Sequence, residues 1–204
     1  MDKQSYRRMN QLPTYVVSGT HNSFSYLPVK QWWLRPFAFI AKCQDKPIHF
    51  QILEHNALDI RVCFENNKIH FAHGVITYKG EVTEILKDSL EYYNHMRCGY
   101  VRVILEKYTD DNIDMQNILF RNFCQWLKVS FPNVKFYGGN YKKTWERIYD
   151  FKSDVNENII QYISSMAADA RWYEKICPRL YAKRMNHVNR KKVKDKCIHL
   201  FDFI

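Results

Sequence analysis

Two rhythms of apolar residues run along this chain. Over LDIRV, Leu58, Ile60 and Val62 alternate with Asp59 and Arg61, the period of a strand with one packed and one polar face. Asn66-Asn67 supplies a turn, and Ile69 and Phe71 resume the alternation on the return, which ends at His73-Gly74. Short runs rich in apolar and β-branched residues predict further strands over residues 14–18, 101–105, 134–137 and 197–201. Helical spacing takes over in residues 81–96, where Val82, Ile85, Leu86, Leu90 and Tyr93 share a face. It recurs over 114–130, with Asp114 as N-cap and Met115, Ile118, Leu119, Phe123, Trp126 and Leu127 turned inward. Residues 48–56 predict a short helix. Residues 158–175 predict a long one, with Ile159, Ile160, Ile163, Met166, Ala167 and Ala170 on one side. Pro178 interrupts it, and a basic helix follows over 179–194.

Strands alternating with helices imply an α/β fold with a mostly parallel sheet and helices outside. His21, Asp59 with Arg61, His73, Glu106, Asn140 and Asp202 all fall at or near the C-terminal ends of predicted strands. That rim is where β/α barrels build their sites. The expectation is a TIM-like (β/α) barrel, small and incomplete. The 204 residues fall short of the ~250 typical of such barrels. No strand is read between Asn140 and Lys196. Residues 1–204 are read as one domain, with 1–13 a loosely held lead-in.

Composition narrows the partners. A hydrophobic content of 46% supports a full core and excludes a disordered chain. The net charge of +10 favours anionic partners such as phospholipid head groups, phosphorylated substrates or nucleic acid, without choosing among them. The basic helix reads as a solvated face, so nucleic acid is not expected as a partner. Six scattered cysteines without a CxxC pair read as packed thiols, not a disulfide frame or zinc site. No apolar leader region and no bilayer-length apolar run is present, so a cytoplasmic or peripheral membrane location is expected. Trp32 and Trp33 stand beside Lys30, Arg35 and Lys42, a combination that suits a membrane interface. For Phe37, Phe39 and Ile40, packing against the domain or an active-site flap is the favoured expectation.

The chemistry sits at the strand ends. Asp59 and Arg61 share one face of their strand, and His73 closes the hairpin. His21 leaves the first strand in Gly19-Thr20-His21-Asn22-Ser23. A permanent cation with two imidazoles suits a phosphate ester: the cation holds charge and the imidazoles move protons.

These residues also carry a resemblance. Ser18-Gly-Thr-His-Asn-Ser23 resembles the first histidine motif of the phosphatidylinositol-specific phospholipase C X-domain family. QILEHNALDIRV, residues 51–62, is similar to the second motif. His73-Gly74 falls where the family has its second histidine. CIHLFDFI resembles the closing strand with its aspartate, and PRLYAKRMN a segment preceding it. The resemblance implies a barrel-fold phosphodiesterase, closer to the bacterial metal-independent type. It implies His21 as general base toward a substrate hydroxyl, which attacks phosphorus and gives a cyclic phosphodiester. Asp202 would hold the His21 ring, and His73 would protonate the leaving oxygen. Arg61 would hold a phosphate oxygen, and Asp59 would orient Arg61 or the nucleophile. Asn22, Glu106 and Asn140 are expected on the substrate side. Calcium-dependent relatives have Asn after the first histidine and carboxylates on the next two strands, here Asn22, Asp59 and Glu106. Arg61 stands where those forms have a further acidic ligand and the metal-independent forms have Arg. No cofactor is therefore expected, with calcium on Asn22, Asp59 and Glu106 the alternative. A phospholipid or inositol phosphodiester is the expected substrate, with contact to an anionic membrane. A glycerophosphodiester enzyme and a non-catalytic head-group binder are the other readings.

Overall fold

The computed structural model describes residues 17–109, 112–140, 159–193 and 197–204. The expectations for residues 1–16, 141–158 and 194–196 lie outside these. In chain order the elements are β1 (Val17–Thr20), a 3₁₀ helix (Trp32–Phe37), α1 (Ala38–Ala41), α2 (Ile48–Glu54), β2 (Ala57–Glu65), β3 (Lys68–His73) and β4 (Ile76–Thr77). There follow α3 (Val82–Met96), β5 (Tyr100–Leu105), α4 (Ile113–Ser130), β6 (Lys135–Asn140) and β7 (Ile159–Tyr162). The described chain ends with α5 (Trp172–Ile176), α6 (Pro178–Asn189), a 3₁₀ turn (Arg190–Lys192) and β8 (Ile198–Phe201).

Six strands run parallel in the order β7-β8-β1-β2-β5-β6, the curled sheet of a small barrel. Among the described residues β6 and β7 are not paired, so the barrel is open between them. The long strand β2 organises it. Its first half pairs with β1 on one side, its second half continues that edge as an antiparallel hairpin with β3, and β5 lies along the other side. Asn66 and Asn67 both take positive φ at the hairpin turn, where asparagine is tolerated.

Leu58, Ile60 and Val62 face outward into the main core with Leu86, Leu90 and Tyr93 of α3 and Phe120, Phe123 and Leu127 of α4. Burial contributes roughly 1.5–3 kcal/mol for each large aliphatic side chain. The alternate residues of the same strands, Asp59, Arg61 and Arg102, point inward and are just as buried. The barrel interior is thus partly ionic. At Gly19 a Cβ would lie 2.5 Å from the Cβ of Ala57, so the close β1–β2 approach requires glycine.

Several expectations change. The segment read as a helix over 158–175 holds β7 and α5, so a strand does lie between Asn140 and Lys196. Ile159 and Ile160 are β-branched, and pairing with β8 decides what their ambiguous spacing does not. Pro178 opens α6 at its first turn, where its missing N–H costs nothing. Asn112, not Asp114, caps α4 by accepting from the Met115 N–H. Met115 and Ile118 are exposed; α4 buries Gln116, Phe120 and Cys124 beside the expected Phe123 and Leu127, with Leu119 and Trp126 packed at the margin of the core. Residues 138–140, read as following a strand, extend β6. Phe37, Phe39 and Ile40 do not pack inward: nothing in the 3₁₀ helix or α1 is buried, and Trp32 is 72% exposed.

Candidate active site

Where β1 and β8 end side by side, the next residues meet. The His21 N–H bonds the Phe201 carbonyl at 2.9 Å, which brings His21 and Asp202 together across 181 positions of sequence. His21 Nδ1 lies 2.7 Å from Asp202 Oδ1, and both groups are buried. On its other side, His21 Nε2 lies 2.7 Å from Arg61 Nη2. A guanidinium only donates, so Nε2 must be the accepting nitrogen and Nδ1–H the donor to Asp202. The tautomer follows: Nε2 holds the lone pair a general base needs.

Arg61 is the hub. Its Nε donates to Asp59 Oδ2 at 2.9 Å, its Nη1 to Glu106 Oε2 at 3.2 Å, and Nη2 also approaches Gln161 Oε1 at 3.5 Å. Burial alone would raise the Asp59 pKa, but Arg61 and Arg102 overcome this and hold it well below the carboxylate range. Burial opposes the Arg61 charge, and Asp59 and Glu106 more than restore it. Arg61 is therefore a fixed cation aimed at the imidazole.

His73 stands opposite, its ring centroid 5.8 Å from that of His21. Its Nδ1–H donates to the Ala41 carbonyl at 2.8 Å. Burial, with Arg61 and His21 nearby, lowers its pKa from 6.5 to about 4. A pocket of about 240 Å³ is lined by His21, Arg61, His73 and Asp202, together with Cys43 and Gln161. Lys175 and the exposed side chains Ile40 and Met166 also border it.

The structure therefore brings together His21, Asp59, Arg61, His73, Glu106 and Asp202. Glu106 acts from behind, accepting from the Gly74 N–H at 2.9 Å as well as from Arg61. Asn22 is buried in a left-handed conformation, its N–H bonded to Asp59 at 3.1 Å, and it does not line the pocket. Asn140 ends β6 opposite Leu105, and its side chain lies outside the described residues. As for a hard cation, Asp59 and Glu106 are already occupied by Arg61, which stands between them.

Sequence reading missed Cys43, Gln44, Gln161 and Lys175. Gln44 is buried, and its Nε2 donates to the carbonyls of both His21, at 3.0 Å, and Phe201, at 2.8 Å. It pins the two strand ends that carry the His21–Asp202 pair. No local pattern marks such a residue. For Gln161 the isoleucine run gave a signal, read with the wrong period.

No protein-family model and no curated protein matches the sequence. Solved structures do match. A phosphatidylinositol-specific phospholipase C from Listeria monocytogenes aligns with TM-score 0.58 and 15% identity, over 93% of this chain and 88% of its own. Two structures of the S. aureus phosphatidylinositol-specific phospholipase C align with TM-scores of 0.53 and 0.52, at 16% and 14% identity, each over 92% of this chain and 85% of the other. The chain has the barrel-type fold of the bacterial phosphatidylinositol-specific phospholipases C.

Proposed function

We propose that this protein is a phosphodiesterase that cleaves a phospholipid-type phosphodiester, with phosphatidylinositol the first candidate substrate. One observation carries the reading: a buried imidazole with Nδ1–H on Asp202 and its Nε2 lone pair directed at a guanidinium, facing a second imidazole across a pocket. When the phosphodiester enters, a phosphate oxygen takes the Nη2–H of Arg61. That frees His21 Nε2 to accept the proton of the attacking hydroxyl. The Asp202 carboxylate stabilises the imidazolium that forms. The hydroxyl oxygen bonds phosphorus, the ester bond breaks, and His73 protonates the leaving oxygen. With an internal hydroxyl as nucleophile, the products are a cyclic phosphodiester and an alcohol. His73 has a low pKa in the free protein, and the arriving anion supplies the field that favours its protonated form.

Arg61 supports turnover without a metal, because it already places a positive charge between Asp59 and Glu106 where calcium would otherwise sit. Trp32, Trp33, Phe37, Phe39 and Ile40 are exposed beside Lys30, Arg35 and Lys42, and Ile40 borders the pocket. Apolar rings with flanking cations suit an anionic membrane surface, which would deliver a lipid to the pocket mouth. No helix among the described residues is long and apolar enough to cross a membrane. The test is turnover of phosphatidylinositol in mixed micelles. His21→Ala and His73→Ala are each expected to lower kcat by about 10²–10⁴-fold. Variants as active as the parent would remove the proposed mechanism.

A further inference from the structure

Cys43 is 1% exposed, yet it belongs to the wall of the pocket that His21 and His73 also line. Its Sγ lies 3.8 Å from His73 Nδ1. One ligand atom each from His21, Cys43 and Asp202 falls within a mutual spread of 4.8 Å. The thiol is held protonated by burial first and then by the adjacent Asp202 carboxylate. None of the proposed catalytic steps uses it, and it forms no disulfide.

We propose that His21, Cys43 and Asp202 form an inhibitory site for a borderline-soft divalent cation, zinc above all, with His73 beside it. The donor set is one imidazole, one thiolate and one carboxylate, a combination suited to zinc and not to calcium or magnesium. Donors around tetrahedral zinc lie roughly 3.3–3.8 Å apart, so no pair has to close by more than about 1.5 Å, within the reach of side-chain rotation. The pocket gives access and leaves room for water as a further ligand. Charge favours the ion once the thiol proton leaves. Asp59, Glu106, Asp202 and the thiolate then outnumber Arg61, Arg102 and Lys175. The balance is simple: one zinc enters, Cys43 releases one proton to solvent, and His21 ligates as neutral imidazole. Ligation takes His21 from its hydrogen-bond partners and occupies Asp202, so bound zinc and base catalysis exclude each other. That inhibition rests on the proposed mechanism; the binding does not.

The experiment is a cobalt(II) titration of the metal-free protein, read by absorbance, beside Cys43→Ala, Cys43→Ser and the control Cys177→Ala. One equivalent of cobalt is expected to give a thiolate-to-cobalt charge-transfer band that zinc abolishes. Both Cys43 variants should lose the band, and Cys177→Ala should keep it. Zinc should also raise the melting temperature of the parent and the control but not of Cys43→Ser. In turnover assays, each protein compared with its own rate in chelator, Cys43→Ser should need about tenfold more zinc or greater for half-inhibition. No band in the parent, or a band that survives both Cys43 substitutions, overturns the site. A band without turnover in any protein would retain the metal site and count against the phosphodiesterase reading alone.

Discussion

At the scale of single residues, direction matters more than proximity. The Arg61–His21 contact fixes which imidazole nitrogen can accept a proton, and Asp202 fixes the other. Asp202→Asn keeps the shape but can present its amide N–H to Nδ1 and reverse the tautomer. A loss of about 10²–10⁴-fold in kcat with KM little changed is expected, read by steady-state kinetics. His73 makes a second prediction. Its pKa near 4 belongs to the free protein, and a bound phosphate anion is expected to raise it. The fall of kcat/KM with rising pH should therefore begin at lower pH than the fall of kcat. Coincident limbs would show that His73 does not act as the acid. His55 is also held near 4, by burial first. Both imidazoles bind protons more readily in the unfolded chain, near 6.5. Their contribution to stability is complete above that pH and is lost as pH falls toward 4. Melting temperature should drop across this window, with a shallower slope in His55→Gln.

At the scale of elements, the site is a set of strand ends lashed together by buried polar side chains. Ser25 Oγ accepts from the N–H groups of Cys43 and Gln44, and Gln51 Nε2 reaches the Ser23 carbonyl at 2.8 Å. Gln44 spans β1 and β8. Gln44→Leu strands the buried His21 carbonyl, at about 1–3 kcal/mol, and leaves the Phe201 carbonyl with the His21 N–H in place of two donors. The melting temperature should fall, and kcat with it, because the His21–Asp202 pair loses its common anchor. An unchanged melting temperature would contradict that role. This scale also divides what sequence could reveal from what it could not. The alternation in β2 placed Asp59 and Arg61 correctly, because a period of two is local. His21, His73 and Asp202 were legible because each directly follows or closes a run with strand character. Gln44 and Gln161 were not, because each is placed by a partner a hundred or more residues away in the chain, Phe201 and Arg61 respectively. Composition favours packing or an active-site flap for Phe37, Phe39 and Ile40, and only the fold reveals that their side chains are exposed together with Trp32 and Trp33.

At the scale of the whole molecule, an open barrel of six parallel strands carries an ionic interior. Asp59, Arg61, Arg102 and Glu106 are all buried. Removing one partner from such a network costs about 3–5 kcal/mol, so Arg61→Ala should lower stability as well as activity. The exposed aromatic segment gives the molecule an asymmetric surface beside its pocket. Trp32→Ala with Trp33→Ala should lower turnover on anionic vesicles more than turnover on a dispersed monomeric substrate, as vesicle sedimentation with parallel kinetics would show. The central claim is that a substrate hydroxyl attacks phosphorus under His21 and His73 without a metal. Phosphorus NMR of phosphatidylinositol in mixed micelles, with chelator present, tests it most directly. A cyclic inositol phosphate signal that vanishes in His21→Ala/His73→Ala is the predicted result. Product that forms only when calcium is restored, or that forms equally in the double variant, would contradict it.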